Sequence, residues 1–233
     1  MTNILLNSFR IAQPWCCDML APYIRPSDRV LVFPLAFREL EITSTQEWNN
    51  RYDKTSGFMA KGFAAEFSKY GIEIDQITWV NYFTDNQDYI TAKIAESNIL
   101  YFSGGLPHLM MERLQEKGVI DAIRGFNGLV MGDSAGALIQ LDTYHVTPDQ
   151  DYPEYAYYDG LGLLRGFDVE VHYCGSAERE QSINRCCIEK GIPVYAMPEQ
   201  GGILVENGII KPFGETVAFS NDDIIGGESI WKN

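Results

Sequence analysis

Short apolar segments alternate with helical stretches along most of this chain, and this alternation restricts its fold more than any other feature. Helices are predicted at about Thr45–Tyr70, Pro107–Lys117 and Ala177–Lys190. Strands separated by helices form βαβ units, in which the strands run parallel. The sequence therefore predicts an α/β fold with a mostly parallel central sheet. The predicted strands are Ile4–Leu6, Val30–Phe37, Ile77–Phe83, Ile99–Phe102, Gly128–Met131, Phe167–Val171 and Pro193–Met197.

One α/β domain can have the length of this chain, so we expect residues 1–233 to form a single domain. After the last of these strands, the segment Gly202–Lys211 predicts a hairpin with Asn207-Gly208 in its turn. The segment Thr147–Gly162 is predicted to be a long loop, and loops of this length inside a compact domain are often functional.

Composition excludes several classes of partner. The net charge is −14, with 18 basic residues against 32 acidic ones, whereas nucleic-acid backbones are bound by clustered Lys and Arg. We expect no nucleic-acid partner. No apolar run approaches the ~20 residues that span a bilayer, and the N-terminus lacks the pattern of a signal peptide. We therefore expect a cytoplasmic protein without a membrane partner. The five cysteines match neither a disulfide framework nor metal-ligand spacing, which favours free thiols and no metal or other cofactor.

The strongest chemical signal is the segment Gly128–Gln140, in which an apolar strand enters Gly-x-Ser-x-Gly and then a run of small residues. A sharp strand-to-helix turn of this kind presents a serine hydroxyl at the C-terminal end of a strand, and its neighbours must be small. The pattern predicts Ser134 as a nucleophile. The backbone N–H of Ala135 would then stabilise an oxyanion, and Gly105, in a second glycine turn after the strand Ile99–Phe102, would supply another donor.

A serine nucleophile needs a base, and the chain has three histidines, His108, His145 and His172. His172 ends a predicted strand, which would bring it to the same sheet edge as Ser134. The carboxylate that orients such a base is left open by the residues alone. The candidates are Glu199, after the next strand, and Asp149 and Asp151 in the long loop.

These motifs, taken in order, resemble those of the aspartyl dipeptidase (peptidase E) family, whose superfamily includes cyanophycinase. The resemblance covers most of the chain and is close only in patches. The matching patches are Gly132–Ala137, Ser103-Gly104-Gly105, His172, Arg179-Glu180-Gln181 and Pro198-Glu199.

The resemblance implies a three-layer α/β sandwich, flavodoxin-like or class I glutamine amidotransferase-like. It also implies a catalytic triad of Ser134, His172 and Glu199, with Asp149 as the alternative acid. A monomer or homodimer that cleaves small peptides, including those with N-terminal Asp, is then expected. Arg179 would bind the acidic side chain of the substrate, and the alternative is an ion pair with Glu178, Glu180 or a distant acid.

Three departures from the family pattern favour a changed acidic preference. They are Leu106-Pro107 after the glycines, Leu138 after the Ser-Ala-Gly-Ala run, and Asp133 beside the nucleophile. Two other functions are consistent with the same residues: an esterase or amidase acting on a non-peptide substrate, and a catalytically silent binding domain of the amidotransferase-like type.

Overall fold

The computed structural model describes residues 1–221, so the end of the predicted domain 1–233 lies outside the described residues. Twelve strands form within residues 1–221: β1 (Thr2–Leu6), β2 (Val30–Phe33), β3 (Ile77–Trp79), β4 (Ile99–Phe102), β5 (Leu129–Asp133), β6 (Thr143–Val146), β7 (Ala156–Asp159), β8 (Asp168–Glu170), β9 (Val194–Ala196), β10 (Gly201–Glu206), β11 (Ile209–Gly214) and β12 (Val217–Phe219). All seven predicted strands are present. Some are shorter than predicted, and β2 ends at Phe33 because Pro34, which has no N–H, follows it.

Eight α-helices accompany the strands in the described range: α1 (Pro14–Leu20), α2 (Thr45–Tyr52), α3 (Phe58–Ser68), α4 (Gln87–Glu96), α5 (Pro107–Glu116), α6 (Ile120–Arg124), α7 (Ala135–Leu138) and α8 (Ala177–Lys190). A short 3-10 helix spans Ile74–Gln76. The helices predicted at Pro107–Lys117 and Ala177–Lys190 are confirmed.

The single helix predicted over Thr45–Tyr70 is wrong, because two helices with a turn between them occupy this segment. Asp53 Oδ1 accepts hydrogen bonds from the N–H groups of Thr55 and Ser56, both at 3.0 Å. A short polar side chain that binds nearby backbone in this way competes with helix formation. The backbone of Gly57 also packs so closely that an added Cβ would lie 2.5 Å from the carbonyl oxygen of Arg51.

The central sheet has the strand order β11-β10-β1-β5-β4-β2-β3. The five strands from β1 to β3 in this order are parallel, whereas β10 and β11 are antiparallel additions at one edge. Side chains of β2 alternate between two apolar cores, with Leu31 and Phe33 on one face and Val30 and Val32 on the other. Helices cover both faces, so the predicted α/β fold with a mostly parallel central sheet is confirmed.

A second sheet of three strands has the order β12-β9-β8, with β8 and β9 parallel. The prediction that the strand before His172 belongs to the same sheet edge as Ser134 is wrong, because β8 pairs with β9 and not with a strand of the central sheet. The predicted hairpin is confirmed as β10 and β11, with both Asn207 and Gly208 at positive φ in the turn.

The segment Thr147–Gly162, predicted to be a loop, is only partly so, since it includes β7 paired antiparallel with β6. All five cysteines are free thiols. In the part of the chain that the structure describes, no helix combines the length and apolar character needed to cross a membrane.

Candidate active site

Ser134 lies in the turn between β5 and α7, at the C-terminal end of a central strand. Its φ of 49° is in the left-handed region, which residues other than glycine rarely adopt. An added Cβ on Gly132 would lie 2.2 Å from the carbonyl oxygen of Gly136, and one on Gly136 would lie 1.9 Å from that of Phe102. The N–H of Ser134 donates to Leu6 in β1 at 2.9 Å. The two glycines of the motif are therefore required by close backbone packing around the serine.

Gly105 and Ala135, the two predicted oxyanion donors, lie next to Ser134. Gly105 has a φ of 134°, and Leu106 donates its N–H to the carbonyl of Ala36 at 2.7 Å, which holds the glycine turn against the segment after β2. Gly105 and Ala135 both line the cavity that contains Ser134. Among residues 1–221, no backbone hydrogen bond occupies the N–H of either one. Their role as oxyanion donors stays a prediction.

His172 lies immediately after β8 and Val171, and its ring contacts the serine directly. The distance from His172 Nε2 to Ser134 Oγ is 2.8 Å, within the range of a hydrogen bond. The φ of His172 is 55°, and its N–H donates to Asn7 Oδ1 at 2.5 Å. Asn7 follows β1 and is buried, so the end of β1 fixes both Ser134, through Leu6, and the backbone of His172.

The electrostatic surroundings keep the imidazole of His172 neutral. Desolvation by the surrounding protein lowers the pKa of His172, and the positive charge of Arg179 lowers it further. Glu199, Glu170 and Asp149 oppose this shift without reversing it. A neutral imidazole near pH 7 can accept the proton of the serine hydroxyl, which is what a general base requires.

The three candidate acids take different positions. The side chain of Glu199 is 57% exposed, and its carboxylate lies 3.3 Å from Arg10 Nε in an ion pair. Asp149 accepts the N–H groups of Asp151 and Tyr152, at 2.8 and 2.9 Å. Asp151 forms an ion pair with an arginine at the rim of the cavity. Within residues 1–221, no carboxylate is hydrogen-bonded to the ring of His172, so Glu199 as the orienting acid, and Asp149 as its alternative, stay predictions.

Arg179 lies in the first turn of α8, whose N-cap is Ser176. Its Nη1 donates to the carboxylate of Glu170 and, at 2.7 Å, to the carbonyl of Val171. It also lines the same cavity as Ser134 and His172. The arrangement therefore combines an ion pair to a distant acid with a position next to the predicted nucleophile.

The cavity that these residues share has a volume of about 280 Å³. One of its walls is the segment between β6 and β7, which makes one polar contact with the segment after β2 and one with α5. Arg38 Nη2 lies 2.5 Å from Asp151 Oδ2, and His108 Nδ1 lies 2.6 Å from Tyr152 Oη. The predicted long loop therefore covers one side of the site.

Asp133 lies beside the nucleophile but faces the core on the other side of the sheet. Its carboxylate accepts a hydrogen bond from Tyr101 Oη at 2.7 Å, and an added Cβ on Gly104 would lie 2.7 Å from its Oδ2. Burial raises the pKa of Asp133 to about 6, although hydrogen bonds from Tyr101 and from the N–H of Gly104 act against the shift. Asp133 therefore connects the serine turn to the glycine turn.

Sequence reasoning missed Asn7, Glu170 and the role of His145. Asn7 had a usable signal, since it is a polar residue directly after a predicted strand and thus at the edge where ligands bind in α/β sheets. Glu170 and His145 had none, because each stands inside an apolar strand segment where a charged group is rare. The structure brings the two together at the inner end of the cavity.

Comparison with known proteins gives a family and a fold. Residues 52–212 match peptidase family S51. A crystal structure of a protein from Listeria monocytogenes EGD-e, provisionally assigned as peptidase E, is similar over 91% of this chain and 96% of its own, with a TM-score of 0.63 and 17% identity. A peptidase from an acI-B1 Actinobacterium is similar over 94% of this chain and 96% of its own, with a TM-score of 0.61 and 15% identity. No curated protein matches the sequence.

At these identities the two structures establish a shared fold, and the match to the family rests on the sequence itself. It covers more than half of the chain and includes Ser134, His172, Arg179 and Glu199. The resemblance to the peptidase E family is thereby confirmed, and the chain belongs to the serine-type peptidase family S51.

Proposed function

We propose that this protein hydrolyses small peptides through an acyl-enzyme on Ser134. The observation that supports it best is the 2.8 Å contact between Ser134 Oγ and His172 Nε2. It lies in a cavity lined by Gly105 and Ala135, whose N–H groups make no backbone hydrogen bond within residues 1–221. A volume of about 280 Å³ suits a short peptide better than a folded protein, because small-ligand sites have volumes of roughly 300–1,000 Å³.

In the proposed reaction, the neutral imidazole of His172 takes the proton of Ser134 as the oxygen attacks the peptide carbonyl. The N–H groups of Gly105 and Ala135 stabilise the oxyanion that forms. The imidazolium then donates its proton to the departing amine, and the C–N bond breaks. Water, deprotonated by His172, hydrolyses the ester and regenerates the serine.

Glu199 is proposed to orient His172 in the substrate complex. The charge of its carboxylate already opposes the lowering of the His172 pKa. Its present partner, Arg10, is 61% exposed, so little holds the carboxylate in that ion pair. Asp149 is the alternative, because it also acts electrostatically on His172 and lines the cavity. Its carboxylate, however, is already used by two N–H groups of its own loop.

Arg179 is proposed to bind a substrate carboxylate, which gives the site a preference for peptides with an acidic N-terminal residue. A carboxylate leaving water needs a cation and hydrogen-bond donors, and a guanidinium offers both. Within residues 1–221, both side-chain hydrogen bonds of Arg179 are donated by Nη1, so the edge formed by Nη2 and Nε is the part proposed to bind the ligand.

The test is labelling by a fluorophosphonate probe together with hydrolysis of Asp-Leu. Ser134→Ala should abolish labelling and lower kcat by about 10,000-fold or more, because a triad without its nucleophile loses covalent catalysis. The matched control is Ser97→Ala, which removes a serine whose hydroxyl donates to Lys93 O at the end of α4. It should leave both readouts unchanged.

Each competing function has its own outcome in this experiment. Labelling at Ser134 with turnover of aryl esters and no turnover of any dipeptide would identify an esterase. A folded protein that is neither labelled nor active would be a binding domain. Either outcome would overturn the proposal.

A further inference from the structure

A buried group of charges lies behind the cavity, between β6, β8 and α8. His145 is at its centre and is 1% exposed. Its Nε2 lies 2.7 Å from Glu170 Oε2, and its Nδ1 lies 3.2 Å from Asp168 Oδ1. The ring of Tyr155 stacks on the imidazole, with 5.7 Å between the centroids. One histidine is therefore held between two buried carboxylates.

Each of the two carboxylates also has a second cation. Lys190 Nζ donates to Asp168 Oδ2 at 2.9 Å, and Arg179 donates to Glu170. The network therefore holds two carboxylates, of Asp168 and Glu170, and two basic side chains, of Lys190 and Arg179. The protonation state of His145 then sets its net charge. A neutral His145 leaves the network without net charge, whereas an imidazolium gives it a surplus of one positive charge.

The contacts favour the imidazolium. Burial by itself lowers the pKa of His145, but the nearby Asp168, Cys186 and Glu170 outweigh it and raise the pKa well above its usual value. The pKa of Asp168 is lowered even though its burial acts in the opposite direction, because His145 and Lys190 stabilise the carboxylate. Buried charges persist when each has an opposite charge beside it, as in these ion pairs.

Glu170 connects this network to the substrate cavity. It is 3% exposed and accepts hydrogen bonds from His145, from Thr147 Oγ1 at 2.7 Å and from Arg179. Arg179 is on the cavity side, where 20% of its side chain is exposed. Glu170 is therefore the counter-ion of both His145 and Arg179. When His145 is protonated, it neutralises the carboxylate of Glu170, which then offsets less of the positive charge of Arg179.

We infer that His145, as an imidazolium, is a specificity-determining residue that neutralises Glu170 and so leaves Arg179 with the charge that attracts a substrate carboxylate. The inference rests on the proposed function, in which Arg179 faces the acidic residue of the substrate. His145 acts through Glu170, so it is expected to affect the affinity for acidic peptides and not the chemical step.

The same location raises a second reading, that of a metal site. His145, Asp168 and Cys186 each place a ligand-type atom within 4.8 Å of the others. Asp168, however, is already in contact with the ammonium of Lys190 and accepts from the Cys186 thiol at 3.2 Å. A further cation would be repelled by Lys190, and this favours the protonated histidine.

The experiment compares binding of Asp-Leu and Ala-Leu by calorimetry in the Ser134→Ala background, which separates affinity from turnover. His145→Gln should weaken Asp-Leu binding by about tenfold, the size of a typical coupling between sites, and change Ala-Leu binding by less than about twofold. Adding Glu170→Gln to His145→Gln should restore Asp-Leu binding, because one anion and one cation have then been removed together. His108→Gln, which removes a histidine outside the network, should change the two peptides equally.

Equal weakening of both peptides by His145→Gln, or failure of the double variant to recover, would overturn the inference. If His145→Gln does not fold, nitrogen NMR of the imidazole in the wild type decides, since a neutral His145 at pH 7 contradicts it and a protonated one supports it. Stoichiometric metal in the purified protein that is lost on His145→Gln would also overturn it. Absence of peptide turnover by the wild type, with selective Asp-Leu binding intact, would refute the proposed function alone.

Discussion

Ser134 stands on the central sheet between two glycines whose backbones leave no room for a side chain, whereas His172 and Arg179 follow a strand of the smaller sheet and are positioned by side chains. Around Ser134 the contacts are steric and made by main-chain atoms. Around His172 they are the amide of Asn7 and a chain of buried charges that runs from Glu170 to Asp168. The difference teaches that one site can combine a part specified by local sequence with a part specified only by long-range contacts.

The largest effect on stability and activity is expected at the tightly packed glycines on either side of Ser134. Gly136→Ala would place a Cβ 1.9 Å from the carbonyl oxygen of Phe102, so α7 must move away from β4. We expect a loss of about 3 kcal/mol or more in the free energy of unfolding, together with loss of activity. Chemical denaturation and probe labelling measure the two.

The control for this prediction is Gly62→Ala in the middle of α3, where an added Cβ has no neighbour within 4 Å. It should stabilise the protein by up to about 1 kcal/mol, as alanine does inside a helix. A Gly136→Ala protein as stable and active as Gly62→Ala would show that the steric argument around Ser134 is mistaken.

This division also explains what the sequence could predict. Gly132, Ser134 and Gly136 lie within five residues, so their packing requirement leaves a local pattern that is visible in the chain. The same holds for the hairpin turn at Asn207-Gly208, where both residues have positive φ. Local backbone geometry was therefore predictable.

The pairing of β8 could not be predicted from the sequence, because a short apolar strand carries no information about which strand it pairs with. The same is true of the contact of His145 with Glu170, which are 25 residues apart and belong to different sheets. A buried charge interrupts an apolar pattern without indicating where its partner lies. The surroundings of Arg179 therefore could not be predicted from the sequence, because tertiary contacts determine them.

The second prediction concerns the carboxylate that orients His172. Glu199→Gln should lower kcat by about 100- to 10,000-fold with little change in KM, because His172 loses the carboxylate that stabilises its imidazolium. Asp149→Asn should lower it by less than about tenfold. Steady-state kinetics on Asp-Leu measure both.

The ion pair of Glu199 with Arg10 supplies the control, since Arg10→Gln breaks the same pair and keeps the carboxylate. Activity close to that of the wild type is expected for this variant. A larger loss for Asp149→Asn than for Glu199→Gln would assign the acid to the loop between β6 and β7. It would also weaken the contrast between the surroundings of Ser134 and those of His172.

The smallest effect is expected for Asp133, the carboxylate directly before Ser134. Burial raises its pKa from 3.8 to about 6, so between these values the folded protein binds a proton that the unfolded chain releases. Its contribution to the free energy of unfolding must then decrease as the pH rises from about 4 to about 6, and it stays at its lower level above that. Asp133→Asn has no such proton, and it should be more stable than the wild type at pH 7 by about 1–3 kcal/mol, with the difference in free energy of unfolding disappearing toward pH 4.

Denaturation of both proteins from pH 4 to pH 8 measures this difference. The control is Asp121→Asn, which removes a fully exposed carboxylate on α6 and should follow the wild-type profile. A constant difference between wild type and Asp133→Asn across that range would mean that the carboxylate stays ionised beside Ser134. The turn at Ser134 would then tolerate a partly buried charge, as the surroundings of Arg179 tolerate the buried carboxylate of Glu170.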